Sequence, residues 1–227
     1  MRIFDEIINQ ILLLTKDKKE LEIKSSWIEA SKNEIIFKQD AAYELNGISG
    51  ILFTSNKELV NNDEIDLLGI DLTKISNDNK YARIVIALID DEKINEENKL
   101  YQVIRNIDYI RYHVNPKGFM TMISSFNQKE CVRVSKTAIK DNISFSNVGK
   151  LFIDNYHKNS FVKAIKIIFI TKEDFDYNKL NELIVKSENI TKTLDHLLNK
   201  VKMDCTSCSL QVVCNEVEKK YKEDFKK

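Results

Sequence analysis

No stretch of this 227-residue chain holds the roughly 18 to 20 apolar residues that a membrane span needs. The N-terminal run MRIFDEIINQILLLTKDKK is interrupted by Asp5, Glu6, Asn9 and Gln10, so it does not read as a signal sequence. Net charge is missing too. Lys+Arg and Asp+Glu balance at 35 each, which removes any global electrostatic case for DNA, RNA or an anionic membrane. No glycine-rich turn follows a strand-like run, and this excludes a Rossmann crossover and a phosphate-binding loop. Gly-x-Ser-x-Gly, His-Glu-x-x-His and paired-carboxylate motifs are absent, so nothing supports hydrolysis. Four cysteines without a signal peptide do not describe a disulfide-stapled secreted domain. The expectation is a soluble protein of a reducing, cytoplasmic compartment.

With 43% hydrophobic residues the chain can bury a core, and its length suits one large domain or one domain with a small appendage. Ile3, Phe4, Ile7, Ile8, Ile11, Leu12 and Leu14 recur at helical spacing and predict an amphipathic first helix. An extended segment is expected over 21–28 and a short apolar run over 34–38. A turn is expected around Gly47 and Gly50 before a strand at 51–53, then a turn at 61–63. A short strand over 65–70 is interrupted by Gly69. The run 81–89 (YARIVIALI) has strand length and β-branched enrichment between polar clusters, which predicts a central strand. Residues 95–112 read as a helix that Pro116 and Gly118 close off, and 119–124 as another strand. Ser146 stands where an N-cap is expected, ahead of a helical stripe of Val148, Leu151, Phe152 and Tyr156. A strand over 164–171 and helices over 174–200 follow. Strands and helices mix irregularly, which predicts an α+β fold with a mixed sheet. The expected division is an α+β domain over 1–200 and a short, helical, cysteine-bearing extension over 201–227.

Three of the four cysteines, Cys205, Cys208 and Cys214, fall within MDCTSCSLQVVC. Two thiols two residues apart, with a third close behind, supply three corners of a metal site. Thiolates suit zinc and iron–sulfur clusters alike. Zinc calls for a fourth Cys or His, and His113, His157 and His196 are not positioned for it. A cubane cluster tolerates three cysteines plus an exogenous or distant ligand, for which Cys131 is a candidate. A third reading is thiol redox chemistry at the Cys-x-x-Cys pair. The bland reading is that Cys208 and Cys214 are small buried hydrophobes. Arginine is scarce in this lysine-rich chain. Arg105 and Arg133 follow apolar positions, where a planar guanidinium grips a carboxylate or phosphate ligand, or else forms an intramolecular salt bridge.

Five segments run collinearly with a known family. ECVRVSKTAIKDNISFSNVGKLFIDNYH followed by KAIKIIFIT resembles the middle domain of acetyl-CoA synthase, the β-subunit of the CO dehydrogenase/acetyl-CoA synthase complex. Upstream, AAYELNG, NDEIDLLGIDL and YARIVIALID with VIRNIDYI are similar to family segments in the same order; downstream, MDCTSCSLQVVC falls where the family has its cysteine run. The resemblance implies the middle-domain fold and a place in the anaerobic Wood–Ljungdahl pathway. It also implies that Cys205, Cys208 and Cys214 ligate an iron–sulfur cubane belonging to the nickel-containing A-cluster. The family's fourth cubane cysteine and its nickel-chelating Cys-Gly-Cys have no counterpart here, so no complete nickel site is expected. Arg133 matches the arginine of the family's Arg-Val-Ser-Lys segment, and with Arg105 it is a candidate for binding CoA. A protein partner or a second copy is expected to supply the missing metal ligand, and neither nucleic acid nor membrane is expected as a partner. The expectation is thus a truncated relative with a metal centre, not a complete acetyl-CoA synthase. The rival readings are a non-catalytic interaction module with a structural zinc and a thiol redox protein.

Overall fold

The computed structural model describes residues 1–31, 34–90, 97–124, 129–198 and 211–225. They fold as α+β around one mixed sheet. The strands are β1 (Lys19–Glu20), β2 (Ala42–Thr54), β3 (Glu64–Leu68), β4 (Asn79–Ile89), β5 (Phe119–Ser124), β6 (Lys129–Ser135) and β7 (Val162–Ile170). Their order across the sheet is β1-β3-β7-β4-β2-β6-β5. Two neighbouring pairs, β2 with β4 and β3 with β7, are parallel; the other pairs are antiparallel. The helices are α1 (Asp5–Leu14), α2 (Glu97–His113), α3 (Lys136–Lys140), α4 (Phe145–Tyr156), α5 (Tyr177–Leu198) and α6 (Gln211–Phe225).

Residues 81–89 form the sheet's spine, as their composition predicts. All nine are buried because both faces of β4 are covered. Strand alternation puts Tyr81 and Arg83 on one face, where Phe145 of α4 stacks on Phe169 with ring centroids 4.4 Å apart. Ile184 of α5 approaches Gly50 on the opposite face.

Several expectations fail locally, each for a physical reason. Gly47 and Gly50 make no turn; they lie inside one thirteen-residue strand. A Cβ at Gly47 would overlap the Tyr81 carbonyl oxygen, and one at Gly50 would overlap Ile184 Cδ1. These glycines mark close approach of neighbours rather than a bend. Ser146 is not the N-cap of α4. Ser144 is, accepting from the Asn147 N–H, while buried Ser146 donates to the Glu22 carbonyl at 2.6 Å. Residues 21–28, expected only as an extended segment, form neither helix nor strand ladder; their backbone N–H groups bond singly to separate elements, Leu21 to the Ile65 carbonyl and Trp27 to the Asn147 carbonyl. The apolar run over 34–38, for which no strand is expected, stays outside the sheet; the Ile36 N–H reaches the Met120 sulfur at 3.5 Å. The strand expected over 65–70 ends at Leu68, and the helical region after 174 is the single helix α5 over its described length.

Candidate functional site

Cys205 and Cys208 lie outside the described residues. Cys214 stands in the first turn of α6, half-buried, with its Sγ 3.5 Å from Thr193 Oγ1 of α5. Val217, one turn further along, is 2% exposed and fastens α6 to the core. The third thiol of the run is therefore held against the folded domain. Among the described residues, no group of three or more His, Cys, Asp or Glu side chains is arranged to hold a metal ion. Cys131 has a different neighbourhood on β6: burial pushes its thiol pKa up, and nearby Glu44 adds to that. A protonated thiol is a poor ligand and a poor nucleophile. Two of the histidines also have internal partners, His113 with the Tyr109 carbonyl and His157 with Asp63.

Arg133 lies opposite Glu44 in the β2–β6 ladder, and its Nε donates to Glu44 Oε1 at 3.0 Å. The same carboxylate faces Lys38 at 3.5 Å, and Lys38 also pairs with Asp78 at 2.9 Å. The hydrogen bond from Arg133 is the main reason the Glu44 pKa lies below its ordinary value. Arg133 is thus engaged inside a four-residue ionic ledge.

Two residues along the chain, the geometry changes. Ser135 accepts from the Thr137 and Ala138 N–H groups and turns the strand into α3. Ser135, Lys136, Thr137, Ile139 and Lys140 then line a cavity of about 560 Å³. Its opposite wall is the irregular segment bearing Ile35, Ile36 and Phe37, with Tyr43 and Ile75 completing the lining. Phe37 is 71% exposed at this site. Lys136 Nζ sits 4.8 Å from the Tyr43 ring centroid, a cation–π contact that orients it. The arrangement offers two ammonium groups one helical turn apart beside aromatic and aliphatic surface, with the carboxylates of Glu34 and Asp40 also in the lining.

The interior holds a second polar cluster. Arg83, 1% exposed, donates from Nη2 to Glu130 Oε2 at 2.9 Å and to the Arg111 carbonyl at 2.9 Å. Its guanidinium lies 4.3 Å from the Phe152 ring centroid. Burial works against its charge, yet the adjacent Glu130 carboxylate holds its pKa above the ordinary value. Arg111 donates from Nε to Ser49 Oγ at 2.9 Å, and its Nη1 lies 3.6 Å from Asp108. Beyond Ile48 the described residues of β2 pair with β4 alone. There Arg111, Arg105 and Asp108 of α2 share a cavity of about 220 Å³ with Glu188, Thr191 and Lys192 of α5.

Arg105 is therefore exposed at the mouth of a cavity, and Arg133 is beside one but salt-bridged. Sequence reasoning singled out neither the lysines of α3 nor Glu188. The lysines could have been found from their i, i+4 spacing directly after the Arg-Val-Ser segment. Glu188 carried no local signal, since its interest comes from α2 lying opposite.

No curated protein sequence matches the chain. The family model of the CO dehydrogenase/acetyl-CoA synthase complex beta subunit matches residues 24–175. That stretch contains β2 to β7, α3, α4 and the whole lining of the larger cavity. The chain belongs to the family of CO dehydrogenase/acetyl-CoA synthase complex beta subunits.

Proposed function

We propose that this family member binds CoA in the cavity along Ser135–Lys140 and carries an iron–sulfur centre on Cys205, Cys208 and Cys214. The cavity carries the first part: at about 560 Å³ it has room for such a ligand, it lies within the family-matched stretch, and its lining includes two lysines beside apolar surface. Lys136 and Lys140 meet the phosphates as compact charges. Phe37 gives the adenine a face to stack on, and Ile35, Ile75 and Ile139 take the aliphatic arm. Arg133, spent on Glu44, positions the strand end that launches α3 rather than touching ligand. Calorimetry with CoA tests this. Replacing Lys136 and Lys140 together by Ala should weaken binding by at least about tenfold, as for loss of charge-assisted contacts. Wild-type protein that gives no heat with CoA, and no NMR shifts at Tyr43 or Thr137, overturns it.

The donor set supports the second part. Three soft thiolates fit iron–sulfur ligation with one position left to another ligand, and half-buried Cys214 is fixed where the cysteine run meets the domain. A cluster held by these three thiolates would supply a redox-active iron site. Protein purified without oxygen should be brown, with iron and sulfide that are lost in Cys208→Ser. A colourless sample with stoichiometric zinc would replace this reading by a structural-zinc module. Colourless, metal-free protein whose thiols cycle to a disulfide would replace it by redox chemistry.

A further inference from the structure

The cavity between α2, α5 and the C-terminal half of β2 differs in kind from the one along α3. At about 220 Å³ it falls below the roughly 300–1,000 Å³ of drug-sized sites, so it suits a compact ligand. Its floor is apolar, made by Ile51, Phe53 and Ile104. Its two helices each present opposite charges one turn apart: Asp108 between Arg105 and Arg111 on α2, with Arg111 Nη1 3.6 Å from Asp108, and Glu188 with Lys192 on α5. Among the described residues, the side chains of Arg105, Glu188 and Lys192 make no hydrogen bond or direct ion pair. Glu188 is half-buried, and desolvation raises its carboxyl pKa despite Arg111 and Lys192 nearby. A carboxylate desolvated without a bonded cation is a place for an ammonium group.

We propose that this cavity binds a free aliphatic α-amino acid. Such a molecule carries its two charges side by side, as each helix does. Its ammonium group meets Glu188, its carboxylate meets Arg105 and Lys192, and its side chain covers Ile51 and Phe53. Glu188 and Lys192 lie beyond the family-matched stretch, so this site does not rest on the CoA reading.

Titration of the full chain with leucine, followed by NMR, tests the proposal. Amide shifts should appear at Ile51, Phe53 and Thr191 and saturate. N-acetylleucine, which lacks the cation, and leucinamide, which lacks the anion, should each bind at least about tenfold more weakly, and Glu188→Gln should lose leucine affinity to a similar degree. Glu188→Gln protein with an unchanged melting temperature attributes the loss to the site rather than to folding. Equal binding of leucine and N-acetylleucine would make this an anion or grease site and overturn the proposal. The absence of saturable shifts at these three residues would overturn it outright.

Discussion

Arg83 and Arg133 sit two strands apart in the same sheet, each paired with a glutamate, and they do opposite things. Arg83 is sealed under α4, stacked on Phe152 and bonded to Glu130 where neither side chain is more than 1% exposed. Arg133 pairs with Glu44 at the sheet margin, where its side chain keeps 27% exposure and Lys38 competes for the same carboxylate. Coulomb attraction is similar at contact; the solvent around it is not. In the interior each charge depends on its partner, because water cannot replace it. At the margin water replaces either partner at little cost. The interior pair therefore holds the fold to one arrangement, tying β4, β6 and the C-terminal turn of α2 together through Glu130 and the Arg111 carbonyl. The marginal pair only steadies an exposed ionic ledge shared with Lys38 and Asp78.

The sharpest way to break this comparison is to remove one interior partner. Arg83→Met should cost about 3–5 kcal/mol in urea unfolding, the range for an orphaned buried charge. Replacing Arg83 by Met and Glu130 by Leu together should recover most of that loss, because no uncompensated charge remains. A double variant as unstable as the single would show that the side-chain shapes, not the charges, matter. Next in size is Ser49→Ala, which strips Arg111 of its hydroxyl acceptor and should cost roughly 1–3 kcal/mol. Arg133→Ala should cost less than about 1 kcal/mol by the same unfolding measurement. A loss as large as that of Arg83→Met would erase the distinction between the two sites.

The comparison also explains what was legible in the chain. Residues 81–89 announced a buried strand because a β-branched run between polar clusters has few other uses. Arg83 stands inside that run, and a periodicity reading passes over it. The strand remains apolar overall, and the partner that permits a buried guanidinium, Glu130, is 47 residues away. Gly47 and Gly50 misled for a related reason. Locally they are turn residues; only the neighbouring Tyr81 carbonyl and Ile184 make them strand residues. Residue types within MDCTSCSLQVVC suggested metal chemistry without any tertiary help. The cavity along α3 was half legible, since Ser135 and Lys136 belong to a recognisable segment. Its other wall comes from residues 34–43 and has no motif of its own.

The smallest expected effect is the dependence of stability on pH, and here the two environments pull in opposite directions. Glu44 and Asp78 at the margin have pKa values below their ordinary ones, Glu44 through Arg133 and Asp78 through the Glu44 N–H and Lys38. The folded state sheds these protons more readily than the unfolded chain does. Their contribution is therefore complete above the unfolded values near 4 and is lost as pH falls through the lower folded values. Asp66 on β3 is the reverse case. Burial raises its pKa despite Lys18 at 3.7 Å and nearby Lys166, so the folded state holds this proton longer. Stability from that residue declines as pH rises from about 4 through its folded value, and the deficit persists at neutral pH. Urea midpoints measured from pH 3 to 8 separate the two. Arg133→Met should flatten the acid limb below about pH 4 and leave the neutral range nearly unchanged. Asp66→Asn should make the decline above about pH 4 shallower, by the share that Asp66 carries beside Asp5 and Glu188, and leave the protein at least as stable as native at pH 7. If Asp66→Asn destabilised the protein at pH 7, the ion pair with Lys18 would outweigh desolvation, and Asp66 would belong with the marginal carboxylates after all.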